Sequence, residues 1–430
     1  MPAGQQVEVD EDEEILERVA AIDVAKASGM VCTRVPHATK AGRRVTKVWQ
    51  VASTTNQVLE LADQLAGEGI ERVVVESTSD YWRPFVYLLE GRGLRVWLVN
   101  AHDVKHLPGR PKTDRLDAVW LCKVAERQML RPSFVPPGDI RRLRDLTRYR
   151  ADLVGVRTAE KNRVDKLLED ACLKLSVVAS DIFGVSGRAM LAALIAGERD
   201  PKVLADFARS RMRTKIPQLE EAFAGLRLGT FDDHHRFLLA RMLARVDAVD
   251  ADIAAVDTQI GQHLAPFADA AARLDEIPGI GPTAAAIIIA EIGLDMSRFP
   301  TPAHLASWAK FAPGINSSAG KIKGNGSTGH GNRYLARVLG EAAVGAGRTD
   351  TFLGARYRRL ARRRGRKKAI VAVGRSLLVI IWHLLADPDT RFHDLGADHY
   401  DRHVNTHAKR RNHIRQLEAL GYRVTLEPAA

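Results

Sequence analysis

The sequence predicts a mixed α/β domain followed by helical domains. Three observations carry that prediction: strand and helix patterns alternate up to about residue 135, a proline-rich break follows, and beyond it a heptad-spaced apolar stripe begins. In order, VAAIDVAKA, GMVCTRVP and RRVTKVWQV read as consecutive strands, the first two joined by a turn at Ser28-Gly29. LELADQLAGEG reads as a helix stopped by Gly67 and Gly69. The β-branched run ERVVVEST reads as a buried parallel strand. A helix over Pro84–Glu90, the strand LRVWLVN and a helix in TDRLDAVWLCKVAERQML complete a mixed sheet with flanking helices.

PSFVPP (132–137) ends that domain, because prolines stop a helix and stiffen a linker. Leu239, Met242, Val246, Val249, Ile253, Val256 and Ile260 then follow alternating steps of three and four, a coiled-coil seam. It predicts a long helical hairpin, with 140–175 as antiparallel partner, or a dimer contact. Residues 176–229 are helical without a legible place. The expected division is an acidic disordered tail (1–17), the mixed-sheet domain (18–135), a helical coiled-coil linker domain (136–272), an all-α domain (273–390) and a C-terminal tail (391–430).

The 430 residues are 46% hydrophobic, enough for real cores, and carry a formal net charge of +12, which favours a polyanionic partner, nucleic acid above all. Cys32, Cys122 and Cys172 are too far apart for a disulfide framework or a cysteine-rich zinc site. The opening MPAGQQVEVDEDEE is acidic, which argues against a signal peptide. The apolar run 369–385 is broken by Arg375 and short for a bilayer. The expectation is a cytoplasmic protein with no membrane partner.

Four carboxylates stand out by position. Asp23 sits between Ile22 and Val24 in a strand, where a charge is costly unless paired or metal-bound. Glu76 closes the run VVVE at a strand end, and Asp114 and Asp117 share one face at a helix start. Gathered at one sheet edge, they offer oxygen-only ligands to Mg²⁺, and two such metals activate both oxygens of a phosphodiester displacement. Taken alone, Asp114 and Asp117 are better explained by the helix dipole, and Asp23 and Glu76 could be solvated strand-end charges; the order strand-Asp, strand-Glu, helix-Asp-x-x-Asp favours the functional reading.

AIDVAK, VVVEST with YWRP, LVNAHDVKHLPGRPKTDRLDA and SFVPPGDIRRLRDLTRYR resemble the N-terminal half of the DEDD-type transposases of the "IS one-ten" insertion-sequence family. IPGIGPTAAAIIIAEIG and HLASWAKFAPGINSSAGKIKGNGSTGHGNRYLARVLGEAA resemble its C-terminal part. The resemblance implies a RuvC-like domain of RNase H fold whose acidic set falls on Asp23, Glu76, Asp114 and Asp117. It also implies a C-terminal transposase domain with a nucleophilic serine. By the family pattern that serine is Ser318, three residues before Lys321, with Ser317 as the neighbouring register. Further implications are Mg²⁺ as cofactor, donor and target DNA as substrates, a bridge RNA as guide, and a prokaryotic, nucleoid-associated location.

The residues themselves add detail. Lys321 and Lys323 can neutralise the attacked phosphate, though a triplet such as Asn316-Ser317-Ser318 is more often a plain polar turn. PGIGP resembles a helix-hairpin-helix turn, which offers backbone N–H groups to a phosphate; an ordinary turn between buried helices fits equally well. Asn332 and Arg333 open a helix where they can hold a nucleic-acid backbone. The run 356–368, RYRRLARRRGRKK, has nine basic residues in thirteen and no acid. That is too one-signed for a solvated face, so Arg362, Arg363, Arg364, Arg366, Lys367 and Lys368 are expected on phosphates; Tyr357 could stack on a base, but one tyrosine proves nothing. Arg141, Arg142, Arg144, Arg148 and Arg150 recur along a helix as further backbone contacts. His399, His403 and His407 have helical spacing but no completing ligand, which argues against zinc. GNGSTGHGN lacks the P-loop Gly-Lys-Ser/Thr.

Three functions compete on this reading. The first is a DNA recombinase that uses the acids and the serine, in a homo-oligomer (dimer or tetramer). The second is a metal-dependent, structure-specific endonuclease with water as nucleophile. The third is a nucleic-acid-binding scaffold without catalysis.

Overall fold

The computed structural model describes residues 15–426 apart from positions 78, 102–112, 315, 319–320, 324–325 and 403–405. The side chains at 77, 114, 316–318, 321–323, 401 and 406–409 also lie outside the description. The acidic stretch up to residue 14 and the expected helical row of His403 and His407 therefore fall outside the described residues. The chain divides into two compact units, 1–136 and 137–430.

The first unit is a five-stranded mixed sheet in the order β3-β2-β1-β4-β5. Its strands are β1 (Val19–Val24), β2 (Ser28–Pro36), β3 (Arg44–Ala52), β4 (Arg72–Ser77) and β5 (Val96–Asn100). β1, β2 and β3 are antiparallel neighbours, while β4 runs parallel to β1 and β5 parallel to β4. This arrangement is consistent with an RNase H-like domain. β1 and β4 are apolar on both faces because both faces are covered. On one side lie α1 (Thr55–Gly67) and α2 (Trp82–Gly91), burying Leu61, Leu65, Phe85 and Leu89 against Ala20, Ile22, Val73 and Val75. On the other lies α3 (Asp114–Glu126), burying Ala118, Leu121 and Cys122 against Val19, Ala21 and Val74. Glu126 pins the end of α3 to the sheet through Arg34 at 2.7 Å and Arg44 at 3.0 Å.

The first turn lies elsewhere than the sequence suggests. Ala25 N–H donates to the Ser28 carbonyl at 2.8 Å, so residues 25–28 make the turn and Gly29 is already inside β2. Gly29 answers a packing demand: a Cβ there would lie 2.8 Å from Ile22 and 2.9 Å from the Phe85 ring.

In the second unit, α4 (Gly138–Asp170) and α8 (Asp233–Leu264) pair as an antiparallel hairpin, each roughly 50 Å long at 1.5 Å per residue. Arg150–Asp257 at 2.5 Å, Arg157–Asp250 at 2.6 Å and Arg245–Glu160 at 3.8 Å give its direction. The heptad stripe is used within the chain: Leu153 packs with Val249 and Ile253, and Ile140 with Ile260. An oligomer would therefore need other surfaces.

A separate core sits at each end of this hairpin. Residues 171–232 contribute α5 (Val185–Ala196), α6 (Pro201–Asp206) and α7 (Ile216–Ala222), which close around Leu168, Met190, Leu204, Leu219 and Phe223. The opposite end holds α9 (Ala268–Asp275), α10 (Pro282–Ile292), α11 (Pro302–Trp308), α12 (Arg333–Ala346), α13 (Phe352–Arg364) and α14 (Arg366–Ala386). α14 is long and apolar enough to cross a membrane by length and composition, yet its Val373, Leu377, Leu378 and Ile381 are fully buried in this core. This region is not all-α as expected. A two-stranded ribbon, β6 (Asn316–Ser318) and β7 (Lys321–Lys323), interrupts it. Residues beyond 390 also pack inward, with the Tyr400 ring stacked on Phe352 at 5.3 Å.

Candidate functional site

Asp23 and Glu76 are register partners on the adjacent parallel strands β1 and β4, near their C-terminal ends. Strand alternation fixes which side they occupy. Val19 and Ala21 pack with Val74 under α3, so positions 23 and 76 fall on that same face. Glu76 is only 4% exposed and Asp23 is half-buried. α3 lies over this face along Ala118, Leu121 and Cys122, which sets Asp117 at its first turn, half-buried, and position 114 one turn earlier. The Asp117 N–H donates to the Thr113 carbonyl at 2.7 Å, anchoring the helix start. Among the described residues no group of three or more His, Cys, Asp or Glu side chains is close enough to hold a metal, and the Asp114 side chain lies outside them.

The donor chemistry still fits a hard cation. Two carboxylates at matching register, one of them nearly fully buried, repel unless positive charge or a proton lies close. All four candidate ligands offer oxygen, the choice of Mg²⁺. Cys32 and Cys122 are free, buried one layer below, and contact with Cys32 together with burial pushes the Cys122 thiol up, so it stays protonated.

In the second unit, the β6–β7 register sets Ser318 opposite Lys321, Asn316 opposite Lys323 and Ser317 opposite Ile322. Positions 316, 318, 321 and 323 thus share one face of the ribbon and position 317 lies on the other. The sequence suggested a polar turn; three-residue strands are too short to show a period. The ribbon is tied at its base by Gly314 N–H donating to the Ser327 carbonyl at 3.1 Å.

The segment after the ribbon is anchored by a residue the sequence reading passed over. Glu291, on α10, is completely buried. It accepts two bonds from Arg148, from Nε at 2.7 Å and Nη2 at 2.8 Å, and one from Asn332 Nδ2 at 2.5 Å. Arg144 donates to the Ala290 and Glu291 carbonyls at 2.8 and 3.0 Å. The bond to Glu291 holds the Arg148 guanidinium above its usual pKa. The Asn332 oxygen caps α12, accepting from Tyr334 N–H at 3.0 Å and Leu335 N–H at 3.2 Å. Asn332 is thus a helix cap and an anchor on Glu291. Arg144, Arg148 and Arg150 are likewise committed to acids or carbonyls of their own unit. Arg333 faces outward, 77% exposed at its side chain, beside Asp152 at 3.8 Å.

The glycine of the PGIGP turn also has a packing reason. Gly279 has φ +90°, and a Cβ there would lie 2.2 Å from the Ala342 carbonyl on α12. Of the basic run, Arg356 donates to the Tyr400 hydroxyl at 2.8 Å and Arg358 to the Thr349 carbonyl at 2.8 Å. Tyr357 packs over Gly347. Arg362, Arg363, Arg364, Arg366, Lys367 and Lys368 are all exposed at the tip between α13 and α14, and none pairs with an acid among the described residues. Arg366, Lys367 and Lys368 occupy the first turn of α14, where the helix dipole disfavours cations.

Two family descriptions match this chain. Residues 20–173, which include all four acids, match a DEDD-type family described as "Transposase". Residues 271–358, which include the ribbon, match the "Transposase IS116/IS110/IS902 family". The chain is also similar to the "Insertion element IS110 uncharacterized 43.6 kDa protein" of Streptomyces coelicolor, 24% identical over 374 residues that cover 81% of this chain and 90% of that protein. With both segments matched in order on one chain, the protein belongs to the IS110 family of transposases.

Proposed function

We propose that this transposase cuts and rejoins donor and target DNA with Asp23, Glu76, Asp114 and Asp117 as Mg²⁺ ligands and Ser318 as nucleophile, guided by a bridge RNA. The observation that carries the reading is the register pairing of Asp23 with Glu76 on the face covered by the helix that bears positions 114 and 117. Mg²⁺ bound there would polarise the phosphodiester and favour loss of the attacking proton. Ser318 Oγ gives up its proton and bonds to phosphorus; the bond to the departing strand oxygen breaks, and that oxygen leaves as a hydroxyl. Attack of a strand hydroxyl on the phosphoserine then restores Ser318 and joins the new ends. Position 318 opposite Lys321, with position 323 on the same face, favours Ser318 over Ser317. Lys321 and Lys323 would offset phosphate charge in the transition state.

The exposed tip Arg362–Lys368 would hold the DNA backbone, with Arg333 as an additional outward cation. Cations at the start of α14 oppose its dipole, a local cost that a bound phosphate reverses. Sequence choice is delegated to pairing with the RNA, so the protein needs only backbone grip.

The test is incubation with Mg²⁺, the RNA from the element's non-coding end and labelled duplexes. A denaturant-resistant protein–DNA adduct is expected for the parent and for Ser317→Ala, and none for Ser318→Ala. Cleavage retained without an adduct in Ser318→Ala would support the water-nucleophile endonuclease instead.

A further inference from the structure

Two thiols inside the first unit take no part in the proposed chemistry. Cys32 on β2 and Cys122 on α3 are 90 positions apart in sequence, yet the fold brings them into contact. Cys122 Sγ lies 3.6 Å from the Cys32 carbonyl and 3.5 Å from the Val19 carbonyl, and the two thiols hydrogen bond to each other. Both side chains are completely buried and neither is in a disulfide. A salt bridge one step further along repeats the same crossing. Arg34 follows Cys32 on the same face of β2, Glu126 follows Cys122 by one helical turn, and they meet at 2.7 Å. Successive same-face positions of one strand thus meet successive turns of one helix, which holds the sulfurs against each other.

Burial alone would make these two cysteines ordinary small apolar side chains. Their shared hydrogen bond makes them unequal. It favours the Cys32 thiolate and, with Arg34 nearby, holds the Cys32 pKa below the ordinary thiol value against the effect of burial. The same bond, and burial with it, pushes the Cys122 thiol up. One sulfur is therefore prepared to attack an oxidant, and its neighbour is in place to complete the exchange.

We infer that Cys32 and Cys122 are a redox-active pair that a two-electron thiol oxidant closes into a disulfide joining β2 to α3, stabilising the first unit. With an azo compound as oxidant, the Cys32 thiolate adds to one nitrogen of the N=N bond. The Cys122 sulfur then displaces that nitrogen: the S–S bond forms, and the electron pair and both thiol protons leave on a hydrazine. The new bond closes a loop that contains β3, α1, β4, α2 and β5, which restricts the unfolded chain far more than the folded one. The inference needs neither the four acids nor Ser318.

It is tested on the full chain with the exposed Cys172 replaced by Ser, which leaves two thiols. Diamide, the azo oxidant, should take the thiol count after denaturation from two to none without joining one chain to another. Peptide mapping should recover a single cross-link between Cys32 and Cys122, and dithiothreitol should restore both thiols. The oxidised protein should melt about 5–10 °C above the reduced one. Cys32→Ala and Cys122→Ala should show no such rise with diamide. Where either variant fails to fold, the shift in the two-thiol protein and its reversal by dithiothreitol carry the test. Two thiols that survive exhaustive diamide, sulfurs joined between chains, or an oxidised form that melts no higher than the reduced one would each overturn the inference.

Discussion

Two buried glutamates, one in each unit, have different neighbours. Glu291 is completely buried and meets its charge inside the protein, with a bidentate Arg148 and the Asn332 amide on its oxygens. Glu76 is nearly as buried, 4% exposed, but its register neighbour is another acid, Asp23. A carboxylate neutralised by arginine is architecture, since nothing from outside is needed to balance it. A carboxylate in register with a second carboxylate suits the cation proposed for this site, because a bound cation would relieve their repulsion.

The comparison is broken most decisively by activity. Glu76→Gln, or Asp23→Asn, is expected to reduce Mg²⁺-dependent strand cleavage by about a thousandfold, in line with loss of a group that acts as part of a catalytic unit. The protein should still fold, with a melting temperature close to the parent's. A large fall in melting temperature with cleavage intact would make Glu76 a second Glu291.

Stability gives the next largest effect, with the roles exchanged. Glu291→Gln leaves the Arg148 charge without its counterpart and is expected to cost about 3 kcal/mol in urea unfolding. Mg²⁺ sharpens the contrast further. Millimolar Mg²⁺ should raise the melting temperature of the parent and of Glu291→Gln, but not of Asp23→Asn, by the mass-action stabilisation of a binding-competent native state. An equal shift in all three would place the cation elsewhere.

The smallest effect concerns the start of α8. Burial works against a charged His235 imidazole, but its bonds to Asp232 and Asp170 prevail and raise its pKa above the ordinary value. A raised folded pKa means stability fully present below about pH 6.5, the unfolded value, and lost as pH rises through the folded one. The urea midpoint should therefore fall slightly between pH 6 and 8, and His235→Gln should flatten that slope. Asp232 works in the other direction. Its backbone and side-chain bonds with His235 lower its pKa, so its contribution holds above the unfolded aspartate value and is lost in acid.

What could be read from the sequence follows the range of the interactions. β1 and β4 were legible because both faces are buried, which leaves unbroken apolar runs. The acids at 23 and 76 stood out as charges inside or ending those runs. The α8 stripe was legible for the same reason, though spacing alone left its partner undecided between α4 and a second copy. Gly29 misled because a glycine required by the Phe85 ring resembles one required by a turn. Glu291 was passed over because its partner Arg148 lies 143 positions away. The available signal was a lone acid in the apolar helix AAAIIIAEIG together with the i, i+4 arginines 144 and 148. The β6–β7 ribbon was hidden by its length, and residues 176–229 by a core built from many short helices with no single period.

The crowding of like charges at the start of α14 means that dissolved ions act on this protein in two opposed senses. Added salt shields Arg366, Lys367 and Lys368 from one another and from the helix end, easing the resting fold. The same ions compete for any polyanion those groups were set out to grip. Conditions chosen to keep the purified chain comfortable are thus those under which the proposed backbone grip would be weakest.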